Sequence, residues 1–467
     1  MNKHINMKAN QILVCLIIGI TFLWNGSSYM SWLYNLMGII DANGISVNSD
    51  MLFDVYSYLM QVLGALFTVL YIRISDHDFA KRRTMFIVMM LLQMITVFPS
   101  VLSSSYLVCL TAGFVMNIFN GIVNALYFVL LAILVPAGHR GIVFGLGYSI
   151  GSIGSWILSL VGNGNFLKSH SVLVAYILLM IVSIALALIT DENSPKLTQN
   201  TNSEPCGRSL IYLTGAMVLL LCTTKGIAFY FPMADISNGT ISLELSRAFY
   251  AIGLIIAGLL NDYRRTYGGI ACIAALMFPF VLLAMTASPE YSFYTWILSY
   301  VFIAFYNVFR ILIFADLSDR SPKGLYLAPM GLMWGRLGDA VGSAIGISLS
   351  AKSMALIVLG SIMFAVTVVM AFYIFQRVYA PTSIGASSEA SMTVDEKMAS
   401  YSVYHDLSAR EKEVLPLILE GHSNSEISGM IFVSENTVKF HVRNILKKTG
   451  CANRQELAKS FQLYKPY

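Results

Sequence analysis

The 467-residue chain is 57% hydrophobic and 12% charged, with a formal net charge of +5 and a mean hydropathy of +0.69. Soluble domains carry roughly 25% charged residues, so this composition excludes a chain that lives wholly in water. The six cysteines, Cys15, Cys109, Cys206, Cys222, Cys272 and Cys451, are scattered, without a Cys-x-x-Cys pair or a His/Cys cluster; that excludes a disulfide framework and gives no metal site.

Apolar runs of about 20 residues, long enough to cross a hydrocarbon core, begin near Gln11, Leu52, Thr84, Tyr106, Gly141, Ser171, Ser209, Leu243, Gly268, Ser292, Leu325 and Ser353. They predict twelve spans. The first run follows Lys3 and Lys8 as a signal peptide would, but equally long runs follow it, so it reads as an uncleaved span. Residues 191–208, from Asp191 to Arg208, are too polar to be buried and too short to fold alone. They read as a linker between a first six-helix half, residues 1–190, and a second, residues 209–376. Lys3, Lys8, Lys81, Arg82, Arg83, Arg140, Lys196, Arg208, Arg264, Arg265, Arg320, Lys323 and Arg377 fall at alternate span ends, opposite little more than Lys168 and Lys352. Positive charge stays inside, so both termini are expected in the cytoplasm, on a multi-pass membrane protein.

The halves echo each other at an offset of 186 residues, which maps Asp76 to Asp262, Pro136 to Pro322, Gly138 to Gly324 and Gly145 to Gly331. The fifth and eleventh spans are both glycine-rich, a composition that lets helices approach closely in lipid, and repeated halves recur among transporters. After the eighth span the chain reads Gly258-x-x-x-Asp262 followed by Arg264 and Arg265. The first copy keeps Asp76, Lys81, Arg82 and Arg83 but has Ile72 in place of the glycine. In topology and in this motif the spans resemble the major facilitator superfamily, which implies an all-α, polytopic bundle of two six-helix halves and a small-molecule ligand.

Ionisable residues in mid-span cost about 2.5–3.5 kcal/mol each on insertion scales and need a partner or a wet site. Lys225, Arg247, Arg310, Arg336 and Asp339 are therefore candidate ligand-binding residues. Arg336 and Asp339 are three apart and can instead neutralise each other, as can Glu244 and Arg247. Arg310 can snorkel towards Asp316 and Asp319. Lys225 has no acidic neighbour on its own helix, which makes it the leading ligand candidate. The first half offers mainly Gln61, Asn117, Asn120, Asn124 and Tyr127, besides Asp54 and Arg73 near the ends of span two. The excess of cations in the second half points to an anionic or aromatic small molecule, and Trp24, Trp32, Tyr34, Tyr230 and Trp334 are candidate wall or packing residues.

Residues 377–405 contain the run Ala380-Pro381-Thr-Ser-Ile-Gly-Ala-Ser-Ser and read as a flexible tether with a reach on the order of 30 Å. Residues 406–467 change character and parse into four short helices. Ser408 caps the first with Glu411 three residues on, and Gly421 ends it. Ser423 or Asn424 opens the second. Ser434 opens the third, which Gly450 stops, and Asn453 opens the fourth. Pro416 falls inside the first, where it removes a hydrogen bond. On the third, Val438, Val442 and Ile445 share one face, while Asn436, Lys439, Phe440, Arg443, Asn444 and Lys447 share the other. Cations and amides can read base edges and Phe440 a thymine methyl; Ser434, Thr437 and Lys447 are placed to hold phosphates. The string of Arg410, Glu411, Glu413, Val414, Leu415, Gly421, Glu426, Ile427, Ser434, Thr437, Val438, Lys439, His441 and Arg454 resembles the LuxR-type (GerE-like) helix-turn-helix position by position. That resemblance implies binding to double-stranded promoter DNA, with Lys439, Phe440 and Arg443 at base-reading positions and two copies of the chain on paired half-sites. Ser428 departs from the alanine usual in the family. The expected protein is a one-component regulator with a transporter-like sensor, or else a secondary transporter with an added regulatory domain. No cofactor is expected, and no nucleophile–base pair, metal cluster or phosphate-cradling loop points to an enzyme.

Overall fold

The computed structural model describes residues 2–74, 79–161, 165–190, 207–236, 245–285, 289–320, 324–349, 353–378 and 394–464. They fall into two compact units, Met1–Tyr379 and Ala380–Tyr467, and every regular element among them is helical.

The first unit is built from α1 (Asn2–Asn43), α2 (Ser57–Ile74), α3 (Phe79–Leu102), α4 (Tyr106–Leu134), α5 (Arg140–Leu160), α6 (Val172–Ile189), α7 (Arg208–Ile236), α8 (Ser246–Tyr263), α9 (Arg265–Met285), α10 (Pro289–Ser318), α11 (Met330–Leu349) and α12 (Ser353–Val378). A helix satisfies its own backbone groups, which lipid cannot. Eight helices among the described residues are long and apolar enough to span a membrane, and α8 and α12 contain shorter apolar stretches, Ala248–Tyr263 and Ile362–Ile374. The order follows the apolar runs of the sequence. Short 3₁₀ turns, Ala137–His139 and Gly324–Leu327, precede α5 and α11 and preserve the echo between halves.

Helix α4 is buried over 83% of its most apolar stretch and α6 over only 28%. α4 is therefore central, and α6 is peripheral, with most of its side chains turned away from the bundle. The halves meet along α5–α8 and α2–α11, while α1 packs on α5 and α7 on α11. Glycine makes these contacts close: a Cβ on Gly145 would lie 2.5 Å from the Leu254 carbonyl, and one on Gly338 would lie 2.5 Å from that of Leu219, so only a missing side chain permits the approach.

Most of the first-half amides are consumed in packing. Gln93 Nε2 donates to Asn25 Oδ1 at 3.0 Å and also to Asn120. Asn25 Nδ2 donates to Asn124 Oδ1 at 2.7 Å, and Gln61 Nε2 to Asn117 Oδ1 at 2.9 Å. Inside a bundle that excludes water, such mutual satisfaction is the low-energy arrangement. Trp24 and Trp32 are fully buried packing residues.

The second unit contains α13 (Val394–Tyr404), α14 (Ala409–Leu419), α15 (Asn424–Met430), α16 (Glu435–Thr449) and α17 (Arg454–Leu463). Its own core joins Tyr401, Leu407, Val414, Leu415, Ile418, Ile427, Val438, Val442, Ile445 and Leu457. Two expectations are corrected here. The flexible tether does not extend to residue 405, because Val394–Tyr404 is a helix whose Tyr401 is fully buried and lies 2.9 Å from Ser460 Oγ. Nor does the tether begin at 377, since α12 runs through Val378. Residues 406–467 hold the expected four helices, α14 to α17, and α13 adds a fifth among the described residues of the unit. Pro416 leaves α14 continuous. Residues 191–206 of the linker, residues 379–393 of the tether, and Asp76, Glu244 and Pro322 lie outside the described residues.

Candidate functional site

The DNA-facing candidate is assembled by caps. Ser408 and Ser423 each close a capping box, with Glu411 and Glu426 respectively, and Gly421, at φ +93°, makes the turn that a side chain would strain. Ser434 Oγ accepts the Thr437 backbone N–H at 3.2 Å, and the two hydroxyls are 2.8 Å apart. Both therefore sit together at the N-terminus of α16, where exposed N–H groups and the helix dipole favour a phosphate. Gly450, at φ +70°, terminates the helix.

Between these ends α16 presents Val438, Val442 and Ile445 to the core. Asn436, Lys439, Phe440, Arg443 and Lys447 are exposed, and Thr437 and Asn444 are half-buried. All eight predicted DNA-binding residues, including Ser434, thus belong to one helix and its cap. Lys439 pairs with Glu435 at 2.9 Å, but both side chains are about half exposed; water screens such a pair, so the lysine is available to DNA. Phe440 is 61% exposed, an uneconomical position for an aromatic ring unless something covers it. The fold adds Phe432, 93% exposed in the turn before α16 at φ +55°, which helical periodicity does not single out because it lies outside a helix. Arg454 is structural: its Nη1 donates to the His422 carbonyl at 2.5 Å and its Nη2 to Asn424, which fastens α17 to the α14–α15 turn.

Glu411 supports this frame from beneath. Burial pushes its carboxyl up, but the Lys448 ammonium at 2.8 Å and the Ser408 N–H at 2.7 Å outweigh that and hold it below the usual value of 4.5.

In the membrane unit, three of the five predicted ligand residues converge on the carboxylate of a fourth. Asp339 of α11, 2% exposed at its side chain, pairs with Lys225 of α7 through Oδ1 and with Arg310 of α10 through Oδ2 at 3.1 Å. Arg336, one turn before it, reaches Oδ2 at 3.5 Å. The snorkelling expected of Arg310 does not occur. Its guanidinium turns to Asp339, and the absence of a Cβ on Gly335 clears the path, since a Cβ there would meet Arg310 Nη1 at 2.4 Å. Nor is Lys225 unpaired: its partner sits on another helix, where sequence spacing does not reveal it. The Arg247 side chain lies outside the described residues.

The first half faces this cluster with a π-helical turn, Met51–Tyr56, that packs on α11. That turn carries Asp54, within electrostatic reach of Lys225 and Asp339. Tyr58, just beyond it, lies under the Arg336 guanidinium at 4.7 Å. π-Turns are uncommon and concentrate at functional positions; Asp54 is the site residue the sequence reading left aside.

A second set of charges closes one end of the α5–α8 contact. The Asp262 carboxylate accepts the Gly141 and Ile142 backbone N–H groups at 2.8 and 2.7 Å, capping α5 from the other half. Arg265 bridges Asp262 at 3.0 Å and Asp316 at 2.7 Å, and Arg140 grips Asp319 at 2.7 and 2.9 Å. Asp316 and Asp319 are thus occupied here.

A family profile for the Major Facilitator Superfamily matches residues 15–343, more than half of the chain. The chain belongs to the major facilitator superfamily. Its fold is similar to that of the Escherichia coli fucose:proton symporter FucP, with a TM-score of 0.58, 10% identity, and coverage of 79% of this chain and 99% of that one. It is likewise similar to the human organic anion transporter MFSD10 (TETRAN), with a TM-score of 0.58 and 16% identity over 78% of this chain and 99% of the other. At such identities the likeness establishes the fold alone. Fused to this major facilitator domain, residues 405–461 match the profile "Bacterial regulatory proteins, luxR family". There the chain is 49% identical over 55 residues to the uncharacterized transcriptional regulatory protein YhcZ of Bacillus subtilis, covering 12% of this chain and 26% of that relative. The chain therefore spans about a quarter of that relative's length. The protein is a multi-pass membrane protein bearing a LuxR-type DNA-binding regulator domain, and both families are of transporter and regulator types.

Proposed function

We propose that this protein is a membrane-embedded one-component transcriptional regulator: its major facilitator domain senses a small molecule, and α16 binds promoter DNA. The observation that carries the reading is a luxR-family helix-turn-helix with an exposed, cationic reading face on the same chain as a transporter-type bundle. Lys439, Phe440 and Arg443 read bases; Ser434, Thr437 and Lys447 hold phosphates; Asn436 and Asn444 flank them. Both termini, and with them the reader, lie in the cytoplasm, as the distribution of basic residues requires. A ligand that fits one packing of the two halves better than the other shifts their equilibrium, and that shift changes how readily two reader domains pair on adjacent half-sites. Chromatin immunoprecipitation of the full-length protein tests this. Discrete promoter sites are expected for the wild type and should vanish with Lys439→Ala/Arg443→Ala; a wild-type protein with no enriched promoter would refute it.

One observation favours a second reading, a working secondary transporter that also regulates. The Arg140–Asp319 ion pair and the Asp262 cap on α5 join the halves at one end, and a gate that opens and closes is machinery for transport. Flux of a bound compound into proteoliposomes would support it; saturable binding without flux supports sensing alone.

A further inference from the structure

The three cations around Asp339 are not equivalent, and the difference identifies what the cavity receives. Lys225 occupies one carboxylate oxygen and Arg310 the other at 3.1 Å. Arg336 has the longest contact, 3.5 Å, and is the most exposed of the three cations, 20% against 14% and 4%. Its Nε is buried with no hydrogen-bond partner among the described residues. A guanidinium has five N–H donors in a planar fork suited to a carboxylate, and only one of them, on Nη1, is engaged with a described partner. The fork also lies over the Tyr58 ring of the other half, so whatever it binds sits where the halves meet.

Charge sets the valence. Three cations surround the one carboxylate of Asp339, so positive charge exceeds negative here even with Asp54 of the first half, within electrostatic reach, counted against them. A charge at that depth is costly without a counterion, and an anion lowers the excess.

We propose that Arg336 docks the carboxylate of a small organic anion between the halves, with the Tyr58 ring as its platform, while Lys225 and Arg310 are locked on Asp339 as scaffold. This rests on the small-molecule reading above and deepens it by naming the ligand class and the docking residue. Binding an anion there couples α11 of the second half to α2 of the first, because the ligand then touches both the Arg336 fork and the Tyr58 ring.

The test uses full-length protein in nanodiscs and matched probes: benzoate, phenylacetate and 3-phenylpropionate against their neutral amides. Thermal unfolding should shift upward with at least one carboxylate and not with its amide. Arg336→Gln should weaken that carboxylate about 30-fold or more, the usual consequence of removing one partner of a buried, hydrogen-bonded charge pair. Arg336→Lys, which keeps the charge and loses the fork, should fall between, and it guards against a glutamine variant that does not fold. Tyr58→Ala should weaken binding in an otherwise stable protein. Amides that stabilise as well as acids, a carboxylate shift undiminished in Arg336→Gln, or no shift with any of the three acids would overturn the proposal. If a carboxylate binds through Arg336 yet leaves promoter occupancy unchanged, the ligand class stands and the sensing reading fails.

Discussion

Replacing Asp339 by asparagine should be the most damaging single change in the membrane unit. The carboxylate is 2% exposed and balances Lys225, Arg310 and Arg336; asparagine keeps the shape and leaves three cations facing one another. Removing one partner of a buried ion pair costs about 3–5 kcal/mol, and here a single carboxylate serves three partners, so the loss should reach the upper end of that range. Removing a cation is milder. Lys225→Met and Arg336→Gln each leave Asp339 with two partners, and Arg336, the most exposed, should cost least. Arg310, 4% exposed, should fall between Asp339 and Lys225. Combining Asp339→Asn with Lys225→Met removes one of the stranded cations and should recover part of the loss, a coupling that a double-mutant cycle isolates. Thermal unfolding of the purified full-length protein in nanodiscs measures the series. The reasoning fails if Asp339→Asn unfolds at the wild-type temperature, if Arg336→Gln costs as much, or if the double variant is no better than Asp339→Asn.

Other outcomes follow from the reader unit. Arg443→Ala should cost about 1–3 kcal/mol of DNA affinity and relax base preference at one position, whereas Lys447→Ala should weaken all sequences alike and lower the salt slope by about one; a salt titration of binding to operator and scrambled DNA separates them. Glu411 is held below its usual 4.5 in the folded unit, so its contribution is complete above the unfolded value and disappears as pH falls through the lower folded one. Acid unfolding of residues 394–464 should therefore begin below about pH 4.5, and Glu411→Gln should be less stable at neutral pH with a shallower acid limb. Tyr401→Ala removes the ring that joins α13 to Ser460 and Phe461; at about 3–5 kcal/mol for a buried aromatic, it should free the amides of 394–404 to exchange with deuterium while α16 stays protected.

Much of this protein was legible one residue at a time, because the physics was local. Hydrocarbon selects apolar runs by length, so the twelve helices appear in the order the hydropathy of the chain predicts. The reader is set by positions three and four apart, where Ser434, Val438, Val442 and Ile445 depend only on helical period and a cap. What sequence spacing could not supply was contact between helices far apart in the chain. Lys225 looked unpaired because its partner is 114 residues away on α11, and Arg310 looked bound for the surface because the passage opened by Gly335 exists only once α10 and α11 pack. Val394–Tyr404 read as tether because its sequence is weakly patterned, and it is helical where Tyr401 finds a core to enter. The sequence by itself thus determined which solvent each segment lives in and which face of α16 is free. Tertiary structure alone decided which charge is answered by which, and so left Arg336, rather than Lys225, with donors to spare, since a burial cost that depends on three dimensions has no signature in one.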